Sequence, residues 1–403
     1  FFRLVGVVFL VLMFTSVDKL FNKPRAGEIA FIHNRQRRLL VKPESFFTSA
    51  SASVNLTTPS KGFPRTFGLL KVHKAASTTT QGIFMRYGYR RNLTFVLPPE
   101  INIFGYPNII SLNESVTSYN TLRPPPGKTF DILCHHVIYN AEAWSTVLPD
   151  DAAIVGTIRE PFSFFRSSLN YFNPKSILKL ARKYDDPVSV YMKNPLRYER
   201  HSLRYSFINN RQALEYGVDP KVILNRDFYA FNDYLRDVLD KKFTLVLVAE
   251  RFEESLVLMK RKFNWTFYDI VYTQKNVRNG FKEDRYTLTD ENQVAHKQFA
   301  VFDYLLYEFF STKLDLEIQN QDTSFAAEVK HLKLTRSRVE GYCNFGQLIN
   351  PALKIRQTDF HDEFTISKED CGLMNVLEIT FTQEIRRRQY GKAFDWPVRP
   401  SRN

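Results

Sequence analysis

The sequence predicts an α/β fold in which helices cover both faces of a central parallel sheet. The first predicted strand is the apolar run Phe67–Val72, and further runs rich in Val, Ile and Leu follow at Phe130–His136, Ala152–Ile158 and Thr244–Glu250. Helical segments separate these runs. Short apolar strands that alternate with helices are typical of a three-layer α/β/α arrangement around a parallel sheet.

Periodicity of apolar residues predicts the helices around this sheet. The clearest is Arg251–Phe263, where apolar residues recur every three or four positions, with acidic residues in the first turn and basic residues in the last. Further helices are expected at Asn292–Phe310, Phe325–Val339 and Leu373–Arg387. Residues 97–128 are rich in Pro, Asn and Ser and are predicted to be mostly loop.

The composition favours an anionic ligand. The chain has 403 residues, and its 56 Lys and Arg against 42 Asp and Glu give a formal net charge of +14. Such a charge attracts nucleotides, acidic glycans or lipid headgroups. Because the basic residues are dispersed and no nucleic-acid-binding motif accompanies them, we do not expect nucleic acid as a partner.

An apolar N-terminal segment predicts attachment to a membrane. Residues Phe1–Val17 are almost continuously apolar, and no small-residue cleavage site follows them. We therefore predict an uncleaved transmembrane signal-anchor over residues 1–20, with the apolar part of a signal peptide as the alternative. Residues 21–64 are polar, basic and then Ser/Thr-rich, which predicts a stem, and the folded domain is expected over residues 65–395.

Sequons and cysteines indicate exposure to an oxidising compartment. Three cysteines permit one disulfide bond. Cys134 lies in a predicted apolar strand and is expected to be a buried thiol, whereas Cys343 and Cys371 flank a polar segment and are the favoured pair. The N-x-[ST] sequons, which predict N-glycosylation, are at Asn55, Asn92, Asn113 and Asn264.

The segment after the first strand predicts an anion site. His73–Ala76 forms a loop, and a helix is expected to begin at Ser77 or Thr78. Lys74, the hydroxyls of Ser77, Thr78 and Thr79, and the N–H groups of the first turn would suit a phosphate-like or sulfate-like group. The glycines of GxxxxGK[ST] are missing, which excludes the ordinary triphosphate loop. A plain helix cap with a solvated lysine is the alternative.

The same helix carries signals at both of its ends. Thr78 and Gln81 have the spacing of a capping box. Arg86, Arg90 and Arg91 are placed where cations complement the dipole at a helix C-terminus. Together they predict a helix that starts near Thr78 and ends near these arginines.

A second candidate anion site follows the third predicted strand. Arg159 lies at the end of that strand, Glu160-Pro161 is expected to start a helix, and Ser167 comes eight residues after Arg159. A guanidinium offers phosphate a planar set of donors, and a serine adds a short one. The alternative is a salt bridge at a strand end with a serine on a helix surface.

The end of the second strand offers a proton acceptor. It reads Cys134-His135-His136, and histidine has a pKa near neutrality. Adjacent strand residues face opposite sides of a sheet, so only one imidazole is expected to enter a cleft. A structural histidine is the alternative.

The two anion motifs together resemble the cofactor-binding elements of sulfotransferases that use 3′-phosphoadenosine 5′-phosphosulfate (PAPS). Four stretches in order resemble one family, the galactose-3-O-sulfotransferases of the Golgi: LLKVHKAASTTTQGIFMRYGYRRNLTFVLP, DILCHHVIYN, TIREPFSFFRSSLNYF and VAERFEESLVLMKRKFNW. The resemblance covers residues 67–310 and continues more weakly to the C-terminus, where Cys343 and Cys371 fall near two cysteines of the family. It implies a P-loop-like sulfotransferase fold and a donor site without a metal.

The resemblance also implies roles for individual residues. Those of the first motif would bind the 5′-phosphosulfate and those of the second the 3′-phosphate: Lys74, Ser77, Thr78 and Thr79, then Arg159 and Ser167. His136 would be the general base, with His135 in support, and Lys74 would stabilise the group in transfer. The polar loop Lys275–Gly280, including Arg278, is expected to close over the nucleotide, although such loops are common.

Two departures from the family bear on the site. Val72 and Ala75 occupy positions where threonines are common in the family, so hydroxyl contacts to the donor would be lost. The segment Tyr198–Gly217, which should help shape the acceptor pocket, agrees poorly with vertebrate members. Donor chemistry is therefore better supported than acceptor identity.

The expected protein is a Golgi type II membrane enzyme that sulfates the 3-hydroxyl of a terminal β-galactose on a glycolipid or glycoprotein. One alternative is a sulfotransferase for another glycan, such as a glycosaminoglycan. Another is a glycan-binding or scaffolding homologue without activity. The oligomeric state stays open, with a homodimer as one option.

Overall fold

A parallel sheet forms the centre of the molecule. The computed structural model describes residues 63–99, 106–199, 201–274 and 284–391. Its central sheet has four strands in the order β2-β1-β3-β4, and all neighbouring strands run parallel. They are β1 (Phe67–Leu70), β2 (Ile132–Leu133), β3 (Ala153–Ile158) and β4 (Phe243–Val248). The predicted strands and their parallel arrangement are confirmed, although β2 is much shorter than the apolar run that predicts it.

Helices connect the strands and pack against them. Helices α11 and α14, for example, both contact β4. The α-helices of the described residues are α1 (Ser77–Arg90), α2 (Ala141–Ser145), α3 (Pro161–Phe172), α4 (Lys175–Leu180), α5 (Pro187–Lys193), α6 (Pro195–Glu199), α7 (Arg211–Glu215), α8 (Pro220–Asn225), α9 (Phe228–Tyr234), α10 (Asp240–Lys242), α11 (Phe252–Phe263), α12 (Phe267–Ile270), α13 (Asp290–Phe299), α14 (Val301–Gln319), α15 (Phe325–Asn344), α16 (Lys368–Asn375) and α17 (Glu378–Tyr390). Short 3₁₀ or π turns occupy Leu203–Tyr205, Leu235–Leu239, Ala249–Arg251 and Gly346–Leu348.

The structure confirms two of the predicted helices and divides two others. Helix α11 matches its predicted range. Helix α15 begins at Phe325 as predicted and continues for about one turn beyond the predicted end at Val339. The helix predicted over residues 292–310 is split at Ala300, which has φ −90° and ψ 28°. The helix predicted over residues 373–387 is split at Val376 and Leu377, whose extended backbone (ψ 140° and 144°) separates α16 from α17.

The predicted capping box of α1 is wrong. The N-cap residue is Ala76, which adopts a left-handed conformation (φ 57°, ψ 7°) and offers no side-chain cap. Thr78 therefore lies inside the first turn. The amide of Gln81 instead donates to Nδ1 of His135 (3.1 Å), because the sheet packs against this face of the helix.

Arg86 also departs from its predicted place at the helix C-terminus. It is fully buried, and its guanidinium donates to the carbonyl oxygens of Asp269 and Val271. Burial, followed by the neighbouring Arg90, lowers the pKa of Arg86 to about 9. Arg90 and Arg91 occupy the end of the helix, whereas Arg86 joins α1 to α12 and to the residue that follows it.

The long polar segment after α1 is loop, as predicted. Residues 97–99 and 106–128 contain no helix or ladder strand. Helix α17 holds this segment, because Arg386 is fully buried and donates to the carbonyl oxygens of Pro98 (2.6 Å) and Pro107 (3.3 Å).

A small antiparallel sheet and a disulfide lie towards the C-terminus. Strands β5 (Ala352–Ile355) and β6 (Phe364–Ser367) form the sheet. The structure joins Cys343 of α15 to Cys371 of α16, with Cα atoms 5.2 Å apart, and leaves Cys134 as a buried free thiol. The bond therefore fixes the helix before this sheet to the helix after it.

The N-terminal predictions concern residues without a described structure. The signal-anchor over residues 1–20 lies outside the described residues, as do residues 21–62 of the predicted stem. Among the helices that the structure does describe, none combines the length and apolar character that a membrane span requires.

We predict that Cys343 and Cys371 are linked in the isolated protein, whereas Cys134 is a thiol. Replacing Cys343 by serine should lower the free energy of unfolding by about 2–4 kcal/mol, because the bond restricts the unfolded chain. Non-reducing peptide mapping and urea unfolding measure the two effects. A disulfide that contains Cys134 would contradict its burial beside the sheet.

Candidate active site

The two predicted anion motifs meet at one edge of the sheet. Strands β1 and β3 are parallel neighbours, with Leu70 opposite Gly156, so the loops that follow them leave the same edge. The guanidinium of Arg159 donates from Nη1 to the carbonyl oxygen of Lys74 (3.0 Å). The structure thus joins the loop that contains Lys74 to the loop that contains Arg159.

The loop after β1 has a strained backbone. Lys74 and Ala76 both have φ of 57°, in the left-handed region that residues other than glycine rarely occupy. The turn carries the chain directly into α1, where Ser77 is buried and Thr78 and Thr79 are half-buried. The hydroxyls of the first turn thus lie beside the loop that contains Lys74, whereas the N–H groups of Thr79 and Thr80 already donate to the carbonyl oxygen of Ala76.

The loop after β3 is fixed by neighbouring side chains. Gln212 accepts from the backbone N–H of Arg159 and donates to its carbonyl oxygen (2.9 Å each). Burial lowers the pKa of the Arg159 guanidinium, and Glu250, 3.9 Å away, opposes this shift. Such a partly buried arginine can exchange its weak contact with Glu250 for a phosphate.

Ser167 lies on α3, which begins as the Glu-Pro pair predicts. Glu160 is the N-cap residue, and its carboxylate accepts from the N–H groups of Phe162 (2.9 Å) and Ser163 (2.6 Å). Ser167 is half-buried, two turns after this cap. The helix thus places a hydroxyl on the element that also carries Arg159.

The two histidines after β2 face opposite sides, as strand geometry predicts. His135 is fully buried, with its ring nitrogens near Gln81 (3.1 Å) and Thr382 (3.5 Å). His136 is half-buried, and its Nδ1–H donates to the carbonyl oxygen of Lys71 (2.8 Å). Because Nδ1 carries the proton, Nε2 of His136 is free to accept one.

His73 joins this site, although the sequence analysis gives it no role. Its ring stacks on that of His136, with centroids 3.7 Å apart and planes at 10°. Its backbone N–H donates to Glu215 (2.8 Å), and its Nδ1 contacts the same carboxylate. Glu215 in turn pairs with the buried Arg211 (2.7 Å). The sequence feature that could have indicated a role for His73 is its position directly before Lys74.

Burial lowers the pKa of both stacked imidazoles. It lowers the pKa of His136 well below the ordinary value, and His73 and Lys71 add to the effect. Burial also lowers the pKa of His73, against the opposing influence of Glu215. Burial alone would raise the pKa of Glu215, but His73 and Arg211 bring it down to about 2. The site therefore brings two imidazoles whose pKa is lowered by burial beside a carboxylate whose pKa is held low by its cationic neighbours.

The remaining predicted residues lie away from this site or outside the described residues. Arg278 and its loop fall within residues 275–283, and Asn55 precedes residue 63, so neither is described. Asn92 and Asn264 are exposed at left-handed turn positions that leave room for a glycan. Asn113 is half-buried and accepts from the Ser111 hydroxyl (3.3 Å).

The loops that contain Lys74 and Arg159 adjoin at the carboxyl edge of the parallel sheet, where α/β enzymes commonly bind anionic ligands. The chain belongs to the galactose-3-O-sulfotransferase family, whose sequence model matches residues 6–371. The protein is accordingly a sulfotransferase.

Similarity to characterised relatives extends over most of the chain. Human galactosylceramide sulfotransferase is 27% identical over 326 residues, covering 80% of this chain and 73% of the relative. Human galactose-3-O-sulfotransferase 2 is 26% identical over 352 residues, covering 83% of this chain and 84% of the relative. No solved structure shows a significant match.

Replacing Glu215 by alanine should lower the free energy of unfolding by about 3–5 kcal/mol, since it leaves Arg211 buried without its carboxylate. The matched control is Asp237→Ala, which removes an exposed partner of Arg236 and should leave the stability almost unchanged. Urea unfolding at neutral pH compares the two variants. Similar small losses from both would contradict the buried role of Glu215.

Proposed function

We propose that this sulfotransferase moves a sulfonate group from PAPS to the 3-hydroxyl of a terminal β-galactose. The observation that carries the proposal is the hydrogen bond between Arg159 and Lys74, because it brings together loops suited to the two anionic ends of one donor. The family and the names of its members support galactose as the acceptor.

The donor is proposed to lie along the edge of β1 and β3. The sheet order and the loop after β1 support a P-loop-like sulfotransferase fold with helices on both faces. The 5′-phosphosulfate would contact the start of α1, and the 3′-phosphate would contact the second loop and α3. The residues assigned to these contacts are Lys74, Ser77, Thr78 and Thr79, then Arg159 and Ser167, with Arg278 expected to close over the nucleotide.

The reaction is proposed as an in-line displacement at sulfur. The galactose O3 forms a bond to sulfur while the bond from sulfur to the 5′-phosphate oxygen breaks, and 3′-phosphoadenosine 5′-phosphate leaves. Nε2 of His136 takes the proton of the hydroxyl, because Nδ1 is already a donor to Lys71. Lys74 supplies the positive charge at the sulfonate and the departing oxygen, and no metal is invoked. His73, the second neutral imidazole, is the alternative base.

The proposal also covers the kind of glycan that accepts the sulfonate and the compartment in which the enzyme acts. Galactosylceramide sulfotransferases among the relatives favour a glycolipid, and the galactose-3-O-sulfotransferases leave a glycoprotein glycan open. A Golgi type II arrangement, with residues 1–20 as anchor, residues 21–64 as stem and residues 65–395 as lumenal catalytic domain, suits such acceptors.

Transfer of labelled sulfate from PAPS to galactosylceramide, a galactose-terminated glycoprotein and a glycosaminoglycan tests the acceptor. Failure with all three would favour a glycan-binding homologue.

Lys74→Ala and Arg159→Ala should damage donor use in different ways. Lys74→Ala should lower kcat by about 10²–10³-fold, because the lysine acts on the group in transfer. Arg159→Ala should mainly raise the donor KM, by about 10–100-fold, because it removes a charge-assisted contact to the distant phosphate. Steady-state kinetics with varied PAPS separates the two, and equal small effects would refute this donor site.

His136→Ala should lower kcat by about 10²–10⁴-fold with nucleotide binding unchanged. In the wild type, His136 must be deprotonated to act as the base. Because burial lowers its pKa, the rate should not change with pH until the pH falls well below about 6.5, the ordinary pKa of histidine. A pH–rate profile and titration with 3′-phosphoadenosine 5′-phosphate measure these effects.

His135→Ala is the control, since its imidazole lies in the core and should affect stability more than chemistry. A folded, nucleotide-binding but inactive His135→Ala beside a nearly normal His136→Ala would show that the wrong imidazole was chosen. Loss of turnover in His73→Ala alone would assign the base to His73 instead.

A further inference from the structure

An aromatic ring holds the side chain of Lys74. Its Nζ lies over the ring of Tyr171, 4.0 Å from the centroid. Tyr171 is the last residue but one of α3 and is 40% exposed. It comes four residues after Ser167, so the two side chains share one face of the helix. That face is therefore directed towards the loop after β1.

The main chain of Lys74 is held from the same part of the molecule. Arg159, just before α3, donates to the carbonyl oxygen of Lys74 (3.0 Å). This contact supports a residue whose φ of 57° is unfavourable for lysine. The segment from Arg159 to Tyr171 thus fixes Lys74 at its backbone and at its ammonium group.

Tyr171 also connects Lys74 to the stacked histidines. Its ring meets that of Phe172 edge to face (4.9 Å), and Phe172 contacts the ring of His73 (5.7 Å), which stacks on His136. The ammonium group and both imidazoles therefore border one aromatic cluster. A change in the ring of Tyr171 acts first on Lys74, its direct contact.

We infer that Tyr171 is a positioning residue for sulfonate transfer, which keeps the Lys74 ammonium at the reacting end of the donor site. The inference rests on the proposed function. A lysine side chain has four rotatable bonds, and ordering it before the donor binds reduces the entropy lost on binding. The face of the tyrosine ring attracts the cation and limits the rotamers of this side chain before the donor binds. The segment Arg159–Tyr171, which is proposed to bind the 3′-phosphate, thereby also orders the Lys74 ammonium group, which is proposed to act on the sulfonate.

The test replaces the ring while it keeps apolar bulk. Tyr171→Leu should lower kcat by about 3–30-fold, the range that a cation–π contact corresponds to. The affinity for 3′-phosphoadenosine 5′-phosphate, which lacks the sulfonate, should change less than about twofold. Tyr171→Phe keeps the ring and should restore most of kcat. Tyr229→Leu, at an 87% exposed tyrosine on α9, is the matched surface control and should leave kcat unchanged.

A double-mutant cycle distinguishes positioning from packing. Tyr171→Leu should have no further effect on the residual turnover of Lys74→Ala, because its role depends on that lysine. Additive losses, an equal loss in Tyr171→Phe, or a change confined to the acceptor KM would each overturn the inference. Wild-type protein that neither binds the nucleotide nor transfers sulfate would refute the proposed function itself, whereas an active wild type with an unaffected Tyr171→Leu would refute the positioning role alone.

Discussion

The hydrogen bond from Arg159 to the carbonyl oxygen of Lys74 is the contact on which the rest of the site depends. It joins loops that are 85 residues apart in sequence and that follow neighbouring parallel strands. It is one of the contacts that hold this loop from outside, together with the bond from the His73 N–H to Glu215 and the contact of the Lys74 ammonium group with Tyr171. The guanidinium therefore has a structural role before any ligand arrives, and ligand binding would build on a geometry that already exists.

A short helix supports both of these loops at once. The side-chain amide of Gln212, in α7, hydrogen-bonds to the backbone N–H and carbonyl oxygen of Arg159. The carboxylate of Glu215, in the same helix, accepts from the backbone N–H of His73. The helix's own N-terminal N–H groups donate to the buried Asp303 of α14, whose pKa burial raises to about 7. Helix α7 belongs to the segment Tyr198–Gly217, which the sequence analysis expects to help shape the acceptor pocket. Part of that segment instead contacts the loops after β1 and β3, through Glu215 and Gln212 respectively.

The sequence predicts local features of this fold well and distant pairings poorly. Strands and the helix α11 follow from apolar patterns, and the loops after β1 and β3 follow from residue types at a fixed spacing. The partnership of His73 with Glu215 has no such signal, because it links residues 142 positions apart. The capping box failed for a related reason: sheet packing recruits Gln81 to His135, so tertiary contact overrides a local rule.

Helix α17 contacts the residues that directly follow β1 and β2. Its Glu378 pairs with the buried Lys71 (2.5 Å), directly after β1, and its Thr382 lies beside His135. The family match ends at residue 371, before this helix begins. During synthesis, therefore, the first strand emerges long before the carboxylate that neutralises its lysine. Burying Lys71 without that carboxylate would leave its charge unpaired, so the end of β1 takes up its final environment only once α17 has packed against it.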